Sequence, residues 1–315
     1  GRGITWVAMT SPRRDAAAPP ASTAAFTAPT SPRTMTVTRP EPIFSHFSSL
    51  TLAAFTIGFL LPFLQGIYLS FCRFTTIKDA QFIGVSNYLK VFEDETFLHA
   101  LWFTALFTLL AVATINLLGF AIALLLTRGF PGTNLFRTVF FMPNLIGGIV
   151  LGYVWQLLLN GILLRFDRTL TYSGAYGFWG LLILMNWQQI GYMMIIYIAG
   201  IQNVPGELME AARIDGATSG QILRHVTIPM VMPSITICTF LTLTNSFKLF
   251  DQNLALTAGE PSNKSEMLAL NIFHTFYGRN GWEGVGQAKA VIFFLLVAMI
   301  TFVQMKMTRA REVQQ

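Results

Sequence analysis

Acidic and basic side chains in this chain are clumped, and the gaps between the clumps fix what it can fold into. No Asp, Glu, Lys or Arg occurs at 98–127, 138–164, 169–206, 226–247 or 290–304, and only His46 interrupts the uncharged run 43–72. A helix crossing roughly 30 Å of hydrocarbon needs about 20 mostly apolar residues, and these gaps supply that length. Only 11% of the 315 residues are charged and 53% are hydrophobic, against about 25% charged in a typical soluble domain. That is too little charge to cover a water-soluble globule, and too much apolar surface for disorder over most of the length. The net charge of +6 calls for no nucleic acid, because basic side chains beside anionic headgroups give the same sum. Cys72 and Cys238 stand far apart, so neither a disulfide framework nor a metal cluster is expected.

The chain therefore reads as an all-α, polytopic membrane protein with six transmembrane helices. They are predicted near 50–71, 98–126, 138–160, 178–201, 229–250 and 287–306. The fifth is the least regular, because it contains Pro229, Pro233 and several Thr, which neighbouring helices can accommodate. Residues 1–42 are rich in Ala, Pro, Ser and Thr, lack an apolar period, and read as a disordered tail. That tail is either a non-native extension or an over-extended start, with Met35 a candidate start. The domain proper is 43–308, followed by a short tail at 309–315. With both termini inside, inner segments hold twelve Lys/Arg against six acids, and outer segments nine against nine. This bias favours cytoplasmic termini.

The inner segment 205–229 is too polar to span and too patterned for a slack loop. Glu207 and Glu210 fall in the first turns of a short helix after Pro205, where negative charge suits a helix N-terminus. Leu208, Ala211, Ala212 and Asp215 share one narrow face. Gly216 is expected to end the helix in the left-handed conformation, and Thr218 or Ser219 to cap the next one. Such a knob either lies flat on lipid or is offered to a cytoplasmic partner. Glu210 and Arg213 could pair at i, i+3, though a surface pair adds little stability.

Polar groups inside apolar spans mark a candidate solute path, since a polar side chain facing lipid is costly. Span four contains Asn186, Trp187, Gln188, Gln189 and Tyr192, and span five contains Thr242, Thr244, Asn245 and Ser246. Amides donate and accept hydrogen bonds, and aromatic faces suit sugar rings. Helix–helix hydrogen bonding is the competing role for each. Asn116 and Asn144 read as packing or hinge residues, the four histidines as incidental, and Lys248 with Asp251 as the end of span five.

The stretch EAARIDGA followed by HVTIPMVMP resembles the EAA loop of binding-protein-dependent ABC transporter permeases, of the carbohydrate-importing (maltose and multiple-sugar) type. Glu210, Ala211, Ala212, Gly216, Val226, Ile228 and Pro229 meet the pattern, and Asp215 with Ala217 adds its DGA. FIGVSNY at 82–88, FFMPNLIGGIVLGYVWQLLLN at 140–160 and LTAGEP at 256–261 resemble further segments of that family, although Glu260 replaces a Gly of the last. The resemblance implies a compact six-helix permease working by alternating access. Its coupling helix would carry Glu207, Glu210, Ala211, Ala212, Arg213, Asp215 and Gly216 to a cytoplasmic ATPase. It implies a second, homologous permease in a heterodimer, two ABC ATPase subunits that bind ATP and Mg, and an extracytoplasmic solute-binding protein, in a prokaryotic cell membrane. It also implies sugar contacts from Trp187 and near Gln189 and Asn245.

No phosphate-binding Gly-rich loop and no HExxH or GxSxG occurs, so hydrolysis is assigned to a partner and no cofactor to this chain. A permease for a charged solute would want cations in the pore; none is read inside the spans, which favours a neutral sugar or polyol. A proton-driven secondary transporter would place Asp, Glu or His deep in a helix, and an integral-membrane enzyme would need a reactive constellation.

Overall fold

The computed structural model describes residues 42–129 and 131–309. The expectations for 1–41 and 310–315 lie outside the described residues. The chain divides into two units at 53/54. The described part of the first belongs to α1 (Pro42–Phe55); the remaining structure belongs to the second.

After α2 (Leu61–Leu69), a two-stranded antiparallel hairpin pairs β1 (Cys72–Arg73) with β2 (Gln81–Phe82), and α3 (Ser86–Glu93) follows. The long helix α4 (Glu95–Leu126) starts where the Asp94 carboxylate accepts the Thr96 N–H. Its 32 residues reach about 48 Å at 1.5 Å per residue, more than enough to cross hydrocarbon. Next come α5 (Thr133–Phe141), α6 (Gly148–Leu163) and α7 (Gly174–Gln202). The segment 205–229 contains α8 (Gly206–Ile214) and α9 (Ser219–Ile222), and α10 (Ile228–Met230) follows at its end. The chain finishes with α11 (Met232–Phe247), α12 (Asp251–Leu256), α13 (Leu268–Gly278) and α14 (Glu283–Arg309).

Among the described residues, five helices are long and apolar enough to cross a membrane: Ser49–Leu69, Glu95–Leu126, Gly148–Phe166, Gly174–Gln202 and Glu283–Lys306. The pair Ser219–Met230 and Met232–Phe247, bent by 69°, has the length and apolarity of a sixth when counted as one broken span. The bend sits at Val231, between Pro229 and Pro233, and a π turn at Leu223–Thr227 precedes it. Proline removes a helix donor and crowds the preceding turn, which accounts for the break.

The third span is displaced from its predicted place, 138–160. Helix α5 ends at Phe141, Met142–Leu145 tightens into a 3₁₀ turn containing Pro143, and Ile146 and Gly147 are extended before α6 begins. The apolar run had concealed a break. It is held in place because Gly191 on α7 leaves the Phe140 carbonyl room where a Cβ would collide.

The core forms where α4 and α7 run side by side in parallel. Phe103 and Phe107 meet Phe178 edge-on at 5.3 and 5.9 Å, and further along Phe120 meets Tyr197 at 5.3 Å. Between those contacts Gly119 lets α4 approach Met193 closely. Helix α11 packs antiparallel on α7, with Gly200 against Ser234, and Cys238 against the Met193 carbonyl.

Candidate functional site

Where α11 ends, a cavity of about 360 Å³ opens beside α7. Its polar lining is Gln189, Asn245, Lys248, Asp251 and Gln252, over apolar Met185, Leu249 and Phe250. Gln189 is the sixteenth residue of the 29-residue α7, so the cavity opens beside the middle of that helix, and carrier sites are commonly built midway along such helices. The Gln189 side chain is 9% exposed, and its buried Oε1 has no hydrogen-bond partner among the described residues. A buried acceptor without a donor is costly in an apolar setting. This one belongs to a cavity that could supply a donor.

Of the predicted path residues, Gln189 and Asn245 meet in this cavity. Gln188 stands behind it: its Nε2 donates to the Ile146 carbonyl at 3.3 Å, and its Oε1 accepts from Gln252 at 2.8 Å. It thereby joins the α5–α6 break to α12. Thr242 and Ser246 are fully buried and donate to the Cys238 and Thr242 carbonyls, so both serve packing. Thr242 also accepts from Asn116, whose Oδ1 takes the Tyr197 hydroxyl at 2.7 Å. Asn186 donates back to the Leu182 carbonyl, Trp187 packs edge-on with Trp155 at 5.5 Å, and Tyr192 neighbours Phe141 at 6.5 Å. Lys248 caps the end of α11 and Asp251 opens α12, and both also line the cavity, a role the sequence reading did not give them.

The segment 205–229 folds into a knob. Val204 is buried and Met209 packs partly on the main core, while Leu208 is 45% and Ile214 86% exposed. Glu207, Glu210, Ala211, Arg213 and Asp215 are exposed and Ala212 half-buried. Glu210 and Arg213 form no ion pair among the described residues. Gly216 has φ +82°; its N–H donates to the Arg213 carbonyl and that of Ala217 to the Ala212 carbonyl. Those two bonds close α8 as a Schellman motif. One residue on, Thr218 and Gln221 form a reciprocal capping box that opens α9.

A cluster of buried charge lies near the start of α4, and the sequence reading missed it. Lys289, in the last span, is fully buried and donates to Asp94 at 2.8 Å, Asn271 at 2.8 Å and Thr275 at 2.7 Å. Arg279 reaches the same Asp94 oxygen at 3.1 Å. This corrects the reading that no cation occurs inside the spans. Lys289 is tolerated because its three donors are all used, and it is not among the residues lining the cavity. Burial alone would raise the Asp94 pKa; hydrogen bonds from Lys289 and Thr96, with the charges of Lys289 and Arg279, outweigh it and hold the carboxyl below its usual range. His274 is not incidental either, since its Nδ1 bonds buried Glu266, which also accepts from Asn271. The available signal was Lys289 itself, within the predicted last span.

Long apolar helices, a bent helix pair, a polar cavity beside the middle of α7 and a capped, exposed knob together point to a polytopic transport subunit. Residues 115–311 match the family described as "Binding-protein-dependent transport system inner membrane component". The chain belongs to this family, and is a multi-pass translocation component, not an enzyme. It is 43% identical over 276 residues, 85% of this chain and 94% of the relative, to the probable starch degradation products transport system permease protein AmyD of Thermoanaerobacterium thermosulfurigenes. The multiple sugar-binding transport system permease protein MsmF of Streptococcus mutans is 29% identical, covering 82% and 92%. Among solved structures, a bacterial ABC transporter importing the acidic polysaccharide alginate aligns with TM-score 0.73 at 18% identity, over 85% of this chain and 95% of that one. That likeness is one of fold.

Proposed function

We propose that this chain forms half of the membrane path of an ATP-driven importer for a neutral sugar or oligosaccharide, working by alternating access. The observation that carries the reading is the buried, unpartnered Oε1 of Gln189 in a polar cavity shared with Asn245. A turn of the Gln189 amide toward the cavity lets a sugar hydroxyl supply the missing donor, and the Asn245 amide can both give and receive. The cavity holds one cation and one anion, Lys248 and Asp251, which suits a solute without net charge. The relatives AmyD, of a starch degradation products transport system, and MsmF, of a multiple sugar-binding transport system, support a saccharide.

The exposed knob formed by α8 supports docking to a cytoplasmic ATPase. Its apolar outer residues Leu208 and Ile214 seat in the partner, flanked by Glu207, Glu210, Arg213 and Asp215. Two such ATPases bind ATP and Mg, a second homologous permease completes the path, and an extracytoplasmic binding protein delivers the solute. An alginate transporter of similar fold was solved with a pentasaccharide-bound periplasmic protein, which supports that last partner. Both termini are then cytoplasmic. Invert the equilibrium of a two-state gate and several kcal/mol of differential binding are required, which ATP binding in the partner supplies. The test is uptake of labelled maltodextrin by proteoliposomes holding the whole complex and its binding protein. ATP-dependent uptake supports the reading, and uptake driven by a proton gradient without ATP overturns it.

A further inference from the structure

A groove of about 720 Å³ runs between α4 and the first turns of α7, beside the core contact of Phe103 with Phe178. Its walls are Phe103, Leu106, Leu110, Phe178 and Trp179, and its rim carries Glu95, His99 and Lys264. The rim is built firmly: His99 Nε2–H donates to the Lys264 carbonyl at 3.1 Å. Buried Asn253 ties down the same loop, donating to the Ser265 carbonyl and accepting the Met267 N–H, each at 2.9 Å. Glu95 and Lys264 are exposed, and neither has an ion-pair partner among the described residues.

Three features of the groove agree on one occupant. The first is depth: from Glu95 to Leu110 α4 advances about 22 Å, half the 40–45 Å of a bilayer with its headgroups. The groove therefore descends through one leaflet and stops. The second is charge, because an anionic and a cationic side chain at the rim complement a headgroup carrying an ammonium and a phosphate. The third is division. Ala175 and Trp179 are shared with a second cleft of about 270 Å³, almost wholly apolar, between α6 and α7. A two-chain lipid can lay one chain on either side of Trp179.

We propose that this groove is a specific site for a zwitterionic phospholipid with a primary ammonium, of the phosphatidylethanolamine class. Its phosphate meets Lys264 and its ammonium meets Glu95. The lipid packs against α4 and the first turns of α7, the helix whose Met185 and Gln189 line the cavity, so occupancy stiffens that helix at its start.

The whole transporter is reconstituted in nanodiscs of phosphatidylethanolamine and phosphatidylglycerol containing a phosphatidylethanolamine with a photoreactive acyl chain, and labelled peptides are mapped. Label is expected to concentrate on 95–110 and 174–183. Leu106→Trp, which fills the groove, should cut that label at least five-fold, whereas Leu157→Trp, on an exposed face of α6 (75% exposed), should not. Lys264→Glu should lower labelling by the phosphatidylethanolamine probe at least three-fold, and Glu95→Lys should favour an otherwise identical phosphatidylglycerol probe. Even labelling of every exposed span overturns the site in favour of ordinary boundary lipid. A disulfide from Leu106→Cys to a helix of the second permease overturns it in favour of a protein occupant. Equal labelling by the two probes in wild type and both charge variants overturns headgroup recognition.

Discussion

Lys289 and Asp94 show what a single pair can decide in a membrane helix. Their side chains are 0% and 5% exposed, so removing one partner strands the other in a low-dielectric interior. Lys289→Met is expected to destabilise by about 3–5 kcal/mol, read as a fall in melting temperature of the purified complex. Adding Asp94→Asn should recover part of that loss. The pH dependence has a definite sign: a carboxyl whose folded pKa lies below its unfolded value adds stability above the unfolded value, about 3.9. Asp94 therefore contributes evenly between about pH 5 and pH 8 and loses its contribution only as pH falls through its lowered folded pKa. Melting curves of wild type and Asp94→Asn should converge in acid. In the cavity, Gln189→Leu removes the unpaired acceptor without emptying the space. Losing one neutral hydrogen bond of about 1 kcal/mol to a sugar should weaken uptake roughly five-fold through KM, while unstimulated ATPase activity stays unchanged. The row of polar residues in span four could be read from sequence, but not its sorting. Gln188 and Gln189 are neighbours in composition and in chain, yet the 100° between them sends one to brace Ile146 and Gln252 and the other to the cavity.

At the level of the element, helix ends were more legible than helix middles. Gly216 and Thr218 announce their caps because few residues accept a left-handed φ or satisfy an N-terminal donor. Both are found as expected. The α5–α6 break was not legible, because Pro143, Gly147 and Gly148 sit in an apolar run that counts as one span by hydropathy. What enforces the break is Gly191, far away in sequence, whose missing Cβ lets the Phe140 carbonyl press on α7. Gly216→Val places a β-branched residue at φ +82° and should cost about 1–2 kcal/mol locally. Retention of the ATPase on the affinity-purified permease should fall with it, while Gly220→Ala, with open space around it, changes nothing. Gly191→Ala forces α5 off α7 and should abolish assembly of folded permease in membranes.

For the whole molecule, the scarcity of charge correctly placed most of the chain in lipid, and the clumps bounded the crossings. It did not reveal the fifth crossing's 69° bend, since angle depends on how α11 packs against both α4 and α7. Orientation has a direct check. Cys72 and Cys238 are both buried, so Ile214→Cys, at 86% exposure, gives one accessible thiol among the described residues. A membrane-impermeant maleimide should label it in inside-out vesicles and leave right-side-out vesicles dark. The knob that carries Ile214 has one more consequence. Because α8 closes on its own Gly216 and Ala217 and α9 opens on its own Thr218 and Gln221, the corner between them asks no hydrogen bond of a visitor. A partner leaving this corner strands none of its capped backbone groups. Such a joint can be gripped and released at every turnover with little memory of the last one, like a socket that needs no lubricant.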